Sequence, residues 1–244
     1  MTVTLSPVVK AETFGEAVTR LALKALEMRK AIGPYDRVMI AIAGIPGSGK
    51  TTLARAVSEK INHIHSSAGT GISEDMICSV LPMDGFHLYR SQLAAMPDPV
   101  VATHRRGAAF TFDAQRFHDL VVALRQPVLD SSTTIYAPSF DHALKDPVEN
   151  DISVCPQSRI VIFEGLYLAL DRAPWNEAAQ LMDELWFVEV DREVARSRLV
   201  KRHVASGIVS NEEAAEHRIS STDFLNADDI LANRLPVQEN ITTG

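Results

Sequence analysis

The sequence predicts an α/β fold of three layers, in which a parallel sheet of about five strands has helices on both faces. Two observations indicate this fold. Short apolar runs alternate with longer segments whose apolar residues recur at helical spacing. The runs are continuous rather than alternating with polar residues, which is typical of strands buried on both faces of a parallel sheet.

The first elements are predicted to be a helix, a strand and a second helix. Apolar residues between positions 11 and 31 recur at helical spacing, and a Gly-Pro pair then ends this helix. Residues 38–43 form a short apolar run, which predicts a buried strand. A glycine-rich turn follows, then a helix over 50–64. Residues 65–75 are predicted to form a loop.

The remaining elements continue the alternation. In order, we predict a strand over 77–83, an irregular stretch over 85–112, a helix over 113–125, a third strand that ends at Ile135-Tyr136, a surface excursion over 137–157, strands over 159–163 and 185–190, and helices over 192–206 and 211–221.

Composition narrows the class of protein. The chain has 244 residues, of which 46% are hydrophobic, and a net charge of −7. The negative charge argues against a general nucleic-acid binder. Cys78 and Cys155 are predicted to be reduced thiols. The first residues do not resemble a secretory signal, and no apolar run is as long as a membrane span. We expect a cytoplasmic protein with no nucleic-acid or membrane partner.

The strongest motif is a glycine-rich loop that matches G-x-x-x-x-G-K-[ST] in full. This loop and the residue after it are Gly44, Ile45, Pro46, Gly47, Ser48, Gly49, Lys50, Thr51 and Thr52. Glycines let backbone N–H groups converge on a phosphate, and the next helix adds the positive end of its dipole. Lys50 is predicted to reach the β- and γ-phosphates, and Thr51 to coordinate Mg²⁺. The motif therefore predicts a P-loop NTPase fold that binds ATP with Mg²⁺.

Two carboxylates follow apolar runs of the predicted sheet. Asp84 follows the run over 80–83, and Glu164 follows the run over 160–163. Ligands of open parallel sheets bind outside the carboxyl ends of the strands, so both residues are expected near the triphosphate. One carboxylate could accept a proton from an attacking hydroxyl, and one could hold Mg²⁺. The alternative is that either residue only caps a helix or turn.

Six segments over residues 37–231 resemble the uridine kinase, pantothenate kinase and phosphoribulokinase group of P-loop kinases. They read GIPGSGKT, LPMDGFHL, RRGAAFTFDA, APSFDHALKDPVE, VIFEGLYL and RSRLVKRHVASG. The chain looks closest to the nucleoside kinase-like branch of this group. The resemblance implies that Asp84 is the catalytic base, that Glu164 lies near Mg²⁺ and the acceptor, and that Arg198 and Arg202 lie on a basic lid helix.

Candidate acceptor-binding residues lie between the second strand and the end of the excursion. They are His87, Arg105, Arg106, Asp141 and His142. Loops carry specificity in this architecture, and a guanidinium group makes forked hydrogen bonds to an anionic or polyhydroxyl ligand. The alternatives are a solvated pair for the two arginines, a structural role for His87 and an Asx-turn at Asp141.

The helix over 192–206 is densely basic, and Arg198 and Arg202 share one face of it. A solvated charge run is the ordinary explanation of such a helix. We favour a lid that closes over the phosphates, because phosphoryl transfer needs cations around the migrating group. The predicted catalytic residues are therefore Lys50, Asp84, Arg198 and Arg202.

These predictions combine into a domain organisation and a function. Residues 1–36 would form a helical segment packed on the core. Residues 37–244 would form a P-loop kinase domain, with an acceptor-binding excursion at 85–157 and a lid at 191–222. The expected reaction transfers the γ-phosphoryl group of ATP to a nucleoside, a pantothenate-like compound, a sugar or a sugar acid. The alternatives are a nucleotide hydrolase or switch and a non-catalytic nucleotide-binding regulator. An Asn-Lys-x-Asp guanine segment is absent from the sequence, which argues against a GTPase.

Overall fold

The structure, a computed structural model, describes residues 12–67 and 76–242. Its strands are β1 (Val38–Gly44), β2 (Cys78–Pro82), β3 (Ile135–Asp141), β4 (Asp146–Val154), β5 (Ile160–Gly165), β6 (Glu184–Glu189) and β7 (Glu239–Thr242). Five of them form a sheet of order β2-β5-β1-β6-β7, and every pair in it is parallel. The predicted five-stranded parallel sheet is confirmed.

Helices cover both faces of this sheet. They are α1 (Phe14–Ala31), α2 (Lys50–Ser67), α3 (Arg90–Ala94), α4 (Pro99–His104), α5 (Ala114–Arg125), α6 (Trp175–Ala179), α7 (Arg192–Ala205), α8 (Glu212–Arg218) and α9 (Phe224–Ala232). Within the described ranges, no helix is both long and apolar enough to cross a membrane.

The two faces of β1 separate the core into two halves, because successive strand residues point to opposite faces. Met39 and Ala41 belong to a cluster that includes side chains of α5, α6, α7 and α9. Ile40 and Ile42 belong to a second cluster, with α1 and α2. The sheet is therefore the middle of three layers. The first residues of α1 are held by a capping box between Thr13 and Glu16.

The excursion differs from the prediction. The strand predicted to end at Ile135-Tyr136 does not join the parallel sheet; instead, β3 begins there and pairs antiparallel with β4. These two strands form a separate two-stranded sheet, hereafter the hairpin. The fifth strand of the parallel sheet is β7, which the sequence analysis missed. Its segment is only four residues long and buries one apolar side chain, Ile241, because it pairs with β6 alone at the edge of the sheet.

Other differences are smaller. Helix α2 continues through Ser67, so the predicted loop is wrong at 65–67, and residues 68–75 lie outside the described ranges. Residues 1–11 of the predicted N-terminal segment also lie outside them. The irregular stretch contains the short helices α3 and α4. The predicted helix over 211–221 begins as α8 but passes into a π-helical turn, Ile219–Asp223, and then into α9.

Candidate active site

The phosphate loop (residues 44–51) joins β1 to the start of α2. Gly47 and Gly49 have φ angles of +79° and +90°, which are left-handed values that favour glycine. Helix α7 lies directly against the loop, because a Cβ atom added to Gly47 would lie 2.8 Å from the backbone oxygen of Ala195. The loop therefore has the backbone that a phosphate cradle requires, and α7 forms one wall beside it.

The two residues predicted to hold Mg²⁺ are in contact. The Thr51 hydroxyl donates a hydrogen bond of 3.0 Å to a Glu164 carboxylate oxygen. Glu164 is 5% exposed, and this burial raises its pKa, while the neighbouring Lys50 ammonium lowers it. A hydroxyl and a carboxylate beside a phosphate cradle fit Mg²⁺, because proteins hold this ion through one or two oxygens and the phosphates of the nucleotide.

Asp84 and Lys50 belong to the same electrostatic neighbourhood. Asp84 lies in a 3₁₀ turn, Met83–Phe86, that directly follows β2. Burial lowers the pKa of Lys50, and the carboxylates of Glu164 and Asp84 act against that shift. The Asp84 carboxylate also raises the pKa of Glu164. The structure thus brings three predicted site residues together at the carboxyl edge of β1, β2 and β5.

His87 forms part of an aromatic wall next to Asp84. Its ring packs between those of Phe112 and Phe140, with centroid distances of 4.0 Å and 4.8 Å. Its Nδ1 lies 2.8 Å from the Asp84 backbone oxygen, and burial lowers the pKa of the imidazole. The ring is therefore held in one orientation beside the aspartate, which suits the wall of an acceptor pocket.

The adjacent arginines have different surroundings. Arg106 donates to the Leu88 backbone oxygen at 2.8 Å and to Asp146 at 3.2 Å. The bond to Asp146 and its position over the Phe140 ring link Arg106 to the hairpin. Arg105 donates to the Asn226 side chain at 3.1 Å and forms no ion pair within 4 Å of a carboxylate in the described ranges. Arg105 is therefore more available to an acceptor than Arg106; both roles stay predictions.

The hairpin candidates are arranged around its turn. One carboxylate oxygen of Asp141 accepts bonds from the Ala143 and Leu144 amides at 2.7 Å and 3.0 Å, which lowers its pKa. This is the Asx-turn that the sequence allowed as an alternative. The His142 ring contacts Phe140 edge-on and is exposed. A contact of Asp141 or His142 with the acceptor stays a prediction.

The basic residues of α7 divide between two sides of the helix. Arg192 and Arg196 pair with Asp228 and Glu216, and both guanidinium groups lie over the Phe224 ring. These two arginines hold α7 against the helices that follow.

The other side of α7 faces the phosphate loop. The Arg198 guanidinium lies 3.3 Å from the Gly47 backbone oxygen and 3.4 Å from that of Ser48. Arg202 is exposed, yet its charge contributes to lowering the pKa of Lys50. Both arginines therefore lie where a bound triphosphate would attract them, and their catalytic role stays a prediction.

The sequence analysis missed Asp223. It lies within electrostatic range of Lys50 and contacts His203 of α7. No local pattern identified it, because its position depends on the π-helical turn. The sequence carried no signal for it, since the burial of its partner His203 is visible only in the structure.

Residues 39–216 match the family described as Phosphoribulokinase / Uridine kinase. The ATP-dependent kinase-like protein notR' of Aspergillus versicolor is 66% identical over 64% of this chain and 91% of its own length. A Schizosaccharomyces pombe protein, C227.14, provisionally named a uridine kinase, is 42% identical over 83% of this chain and 80% of its own. A crystal structure from Silicibacter sp. TM1040, provisionally named a fructose transport system kinase, has a TM-score of 0.73 and 31% identity, and the match covers 90% of this chain and 98% of that one. The chain therefore belongs to the phosphoribulokinase / uridine kinase family of ATP-dependent kinases.

Proposed function

We propose that the chain transfers the γ-phosphoryl group of ATP to a hydroxyl group of a small metabolite. The observation that carries this proposal is the grouping of Lys50, Asp84 and Glu164 beside the phosphate loop. A hydrolase or switch needs Lys50 and Glu164 to bind the nucleotide with its metal ion. It does not need a second carboxylate, such as Asp84, placed to accept the proton of an alcohol.

Each residue has a distinct task in this reaction. The phosphate loop and Lys50 bind the triphosphate, and Thr51 and Glu164 would hold Mg²⁺, which would neutralise phosphate charge when bound. Asp84 accepts the proton of the acceptor hydroxyl as that oxygen attacks the γ-phosphorus. Arg198 and Arg202 stabilise the migrating phosphoryl group.

The acceptor is a nucleoside, a pantothenate-like compound, a sugar or a sugar acid. The provisional names of two relatives refer to uridine and to fructose, and they support a nucleoside and a sugar as acceptor. The aromatic wall at His87 suits the apolar face of such a compound. Arg105 would meet a polar or anionic group of the acceptor.

The test begins with a thermal-shift screen of metabolites in the presence of a non-hydrolysable ATP analogue and Mg²⁺. Ligands that bind only the native state raise Tm. Each hit is then assayed for acceptor-dependent release of ADP, with Lys50→Ala as an inactive control. Nucleotide turnover that no acceptor stimulates would indicate a hydrolase or switch. Nucleotide binding without any turnover would indicate a regulatory protein.

A further inference from the structure

A buried histidine–aspartate pair lies beside the groups to which the proposed reaction assigns a task. His203 Nε2 is 2.8 Å from Asp223 Oδ2, and the side chains are 3% and 13% exposed. The other ring nitrogen of His203 is buried and has no hydrogen-bond partner in the described ranges. A carboxylate that is held at one oxygen in a buried setting keeps a single orientation. Its other oxygen forms no hydrogen bond within the described ranges.

Asp223 is the last residue of the π-helical turn. Such turns are rare and often occur at functional sites. An extra residue in the turn shifts the direction of the following side chains relative to a regular helix. The distortion between α8 and α9 therefore coincides with the residue that contacts His203.

One side of this turn contacts the loop that contains the two arginines, residues 104–108. The Thr222 hydroxyl donates to the His104 backbone oxygen at 3.3 Å. Asn226 accepts the bond from Arg105. Burial raises the pKa of Tyr167, and the Asp223 carboxylate adds to this effect. The Tyr167 hydroxyl donates to the Gly107 backbone oxygen at 2.7 Å, so Asp223 adjoins the proposed acceptor side of the site.

The other side of the turn contacts the phosphate side through His203 and α7. Leu199, one helical turn before His203, lies against Gly47 of the phosphate loop. The carboxylate of Asp223 also acts on Lys50, since it helps to keep the ammonium charged against the effect of burial. Asp223 therefore stands between the phosphate loop and the loop of Arg105.

We infer that Asp223, held by His203, binds a hydroxyl group of the acceptor and determines specificity at the kinase site. This inference rests on the proposed function. A carboxylate accepts charge-assisted hydrogen bonds from hydroxyl groups and repels carboxylates and phosphates. Asp84 takes the proton of the reacting hydroxyl, so Asp223 binds a second hydroxyl that does not react. The acceptor is accordingly a polyhydroxyl compound, such as the ribose of a nucleoside or a free sugar.

The experiment measures acceptor-dependent ADP release from uridine, D-ribose, D-fructose and pantothenate. For the best acceptor, we expect Asp223→Asn to raise the acceptor KM by about 10- to 100-fold, the loss expected for one hydrogen bond to a charged group. The kcat and the KM for ATP should change by less than about twofold, because Glu164 and Asp84 act on Lys50 more strongly than Asp223 does and both remain in place. The positioning residue is tested by His203→Gln, which should raise the acceptor KM by a smaller factor.

Asp228→Asn is the matched control, since this exposed residue of α9 pairs with Arg192 and should leave all constants unchanged. An unchanged acceptor KM in Asp223→Asn would refute the inference, as would equal losses in kcat and ATP binding, which indicate a structural role. If Asp223→Asn fails to fold, His203→Gln tests the inference instead: a raised acceptor KM supports it, and an unchanged acceptor KM refutes it. If Asp84→Asn is inactive while Asp223→Asn is normal, only this inference fails. If no metabolite of the screen stimulates ADP release by the unmodified chain, the proposed function fails with it.

Discussion

Replacement of Asp84 by asparagine tests the proposed base most directly. Within the described ranges, the hydrogen bonds of Asp84 run through its backbone oxygen, which accepts from the His87 amide at 3.2 Å. Asparagine preserves that bond and the size of the side chain, so the free energy of unfolding should change by less than about 0.5 kcal/mol. The substitution removes the negative charge and the ability to accept a proton.

The expected loss in kcat is about 10²- to 10⁴-fold, the usual contribution of general base catalysis. This loss corresponds to about 2.7–5.4 kcal/mol of transition-state stabilisation. ATP affinity should change little, because the phosphate loop and Mg²⁺ supply most of that binding.

The assay is steady-state ADP release at saturating ATP, with the acceptor that the ligand screen identifies. Binding of a non-hydrolysable ATP analogue and thermal unfolding are measured in parallel. Asp130→Asn is the control, since Asp130 is an exposed turn residue between α5 and β3. A kcat within about threefold of the unmodified chain would refute the role of Asp84 as base. Unfolding together with lost nucleotide binding would make its role structural.

Arg198→Ala and Arg202→Ala should each lower kcat more than they raise the KM for ATP, because a cation near the migrating group acts chiefly on the transition state; unchanged kcat in both would make this side of α7 an ordinary solvated surface. Gly85→Ala should lower the free energy of unfolding by about 1–3 kcal/mol, since a Cβ atom at this position would lie 2.0 Å from a backbone oxygen of the hairpin. Gly15→Ala is the control, because no atom lies within 4 Å of a Cβ atom there. Equal Tm values of the two variants would contradict this prediction. The bonds from Arg116 hold the pKa of Glu149 at about 2, below its usual 4.5. This ion pair therefore stabilises the fold above pH 4.5, and its contribution is lost as the pH falls toward 2. The Tm difference between the unmodified chain and Glu149→Gln should therefore be small at neutral pH, because the pair is exposed, and should vanish in acid; a difference that grows in acid would reverse the assigned sign.

The parts of the site that depend on contiguous residues could be predicted from the chain alone. The phosphate loop is a local structure, because its glycines, Lys50 and Thr51 act within one turn between a strand and a helix. Glu164 could be placed at the same sheet edge, since a continuous apolar run identifies a buried parallel strand and its carboxyl end. The same reasoning identified four of the five strands of the sheet, namely β1, β2, β5 and β6.

The errors arose where a position depends on contacts distant in sequence. Strand β7 lies at the sheet edge and pairs on one side only, so it needs no apolar run to form, and Ile135-Tyr136 was assigned to the sheet in its place. Arg105 and Arg106 are neighbours of identical chemistry, yet the packing of the hairpin places the Asp146 carboxylate beside Arg106, while Arg105 contacts Asn226.

Asp223 shows the same limit most clearly. Nothing in the residues around it distinguishes it from Asp228 or Asp229, which form ordinary exposed ion pairs. A π-helical turn aligns it with His203, which lies 20 residues earlier in the chain. Periodicity along a sequence reports which face of a regular helix is buried. The π-helical turn breaks this periodicity and sets the direction of the Asp223 side chain. The sequence could not predict that His203 is its partner, because the packing of the helices in three dimensions brings the two residues together.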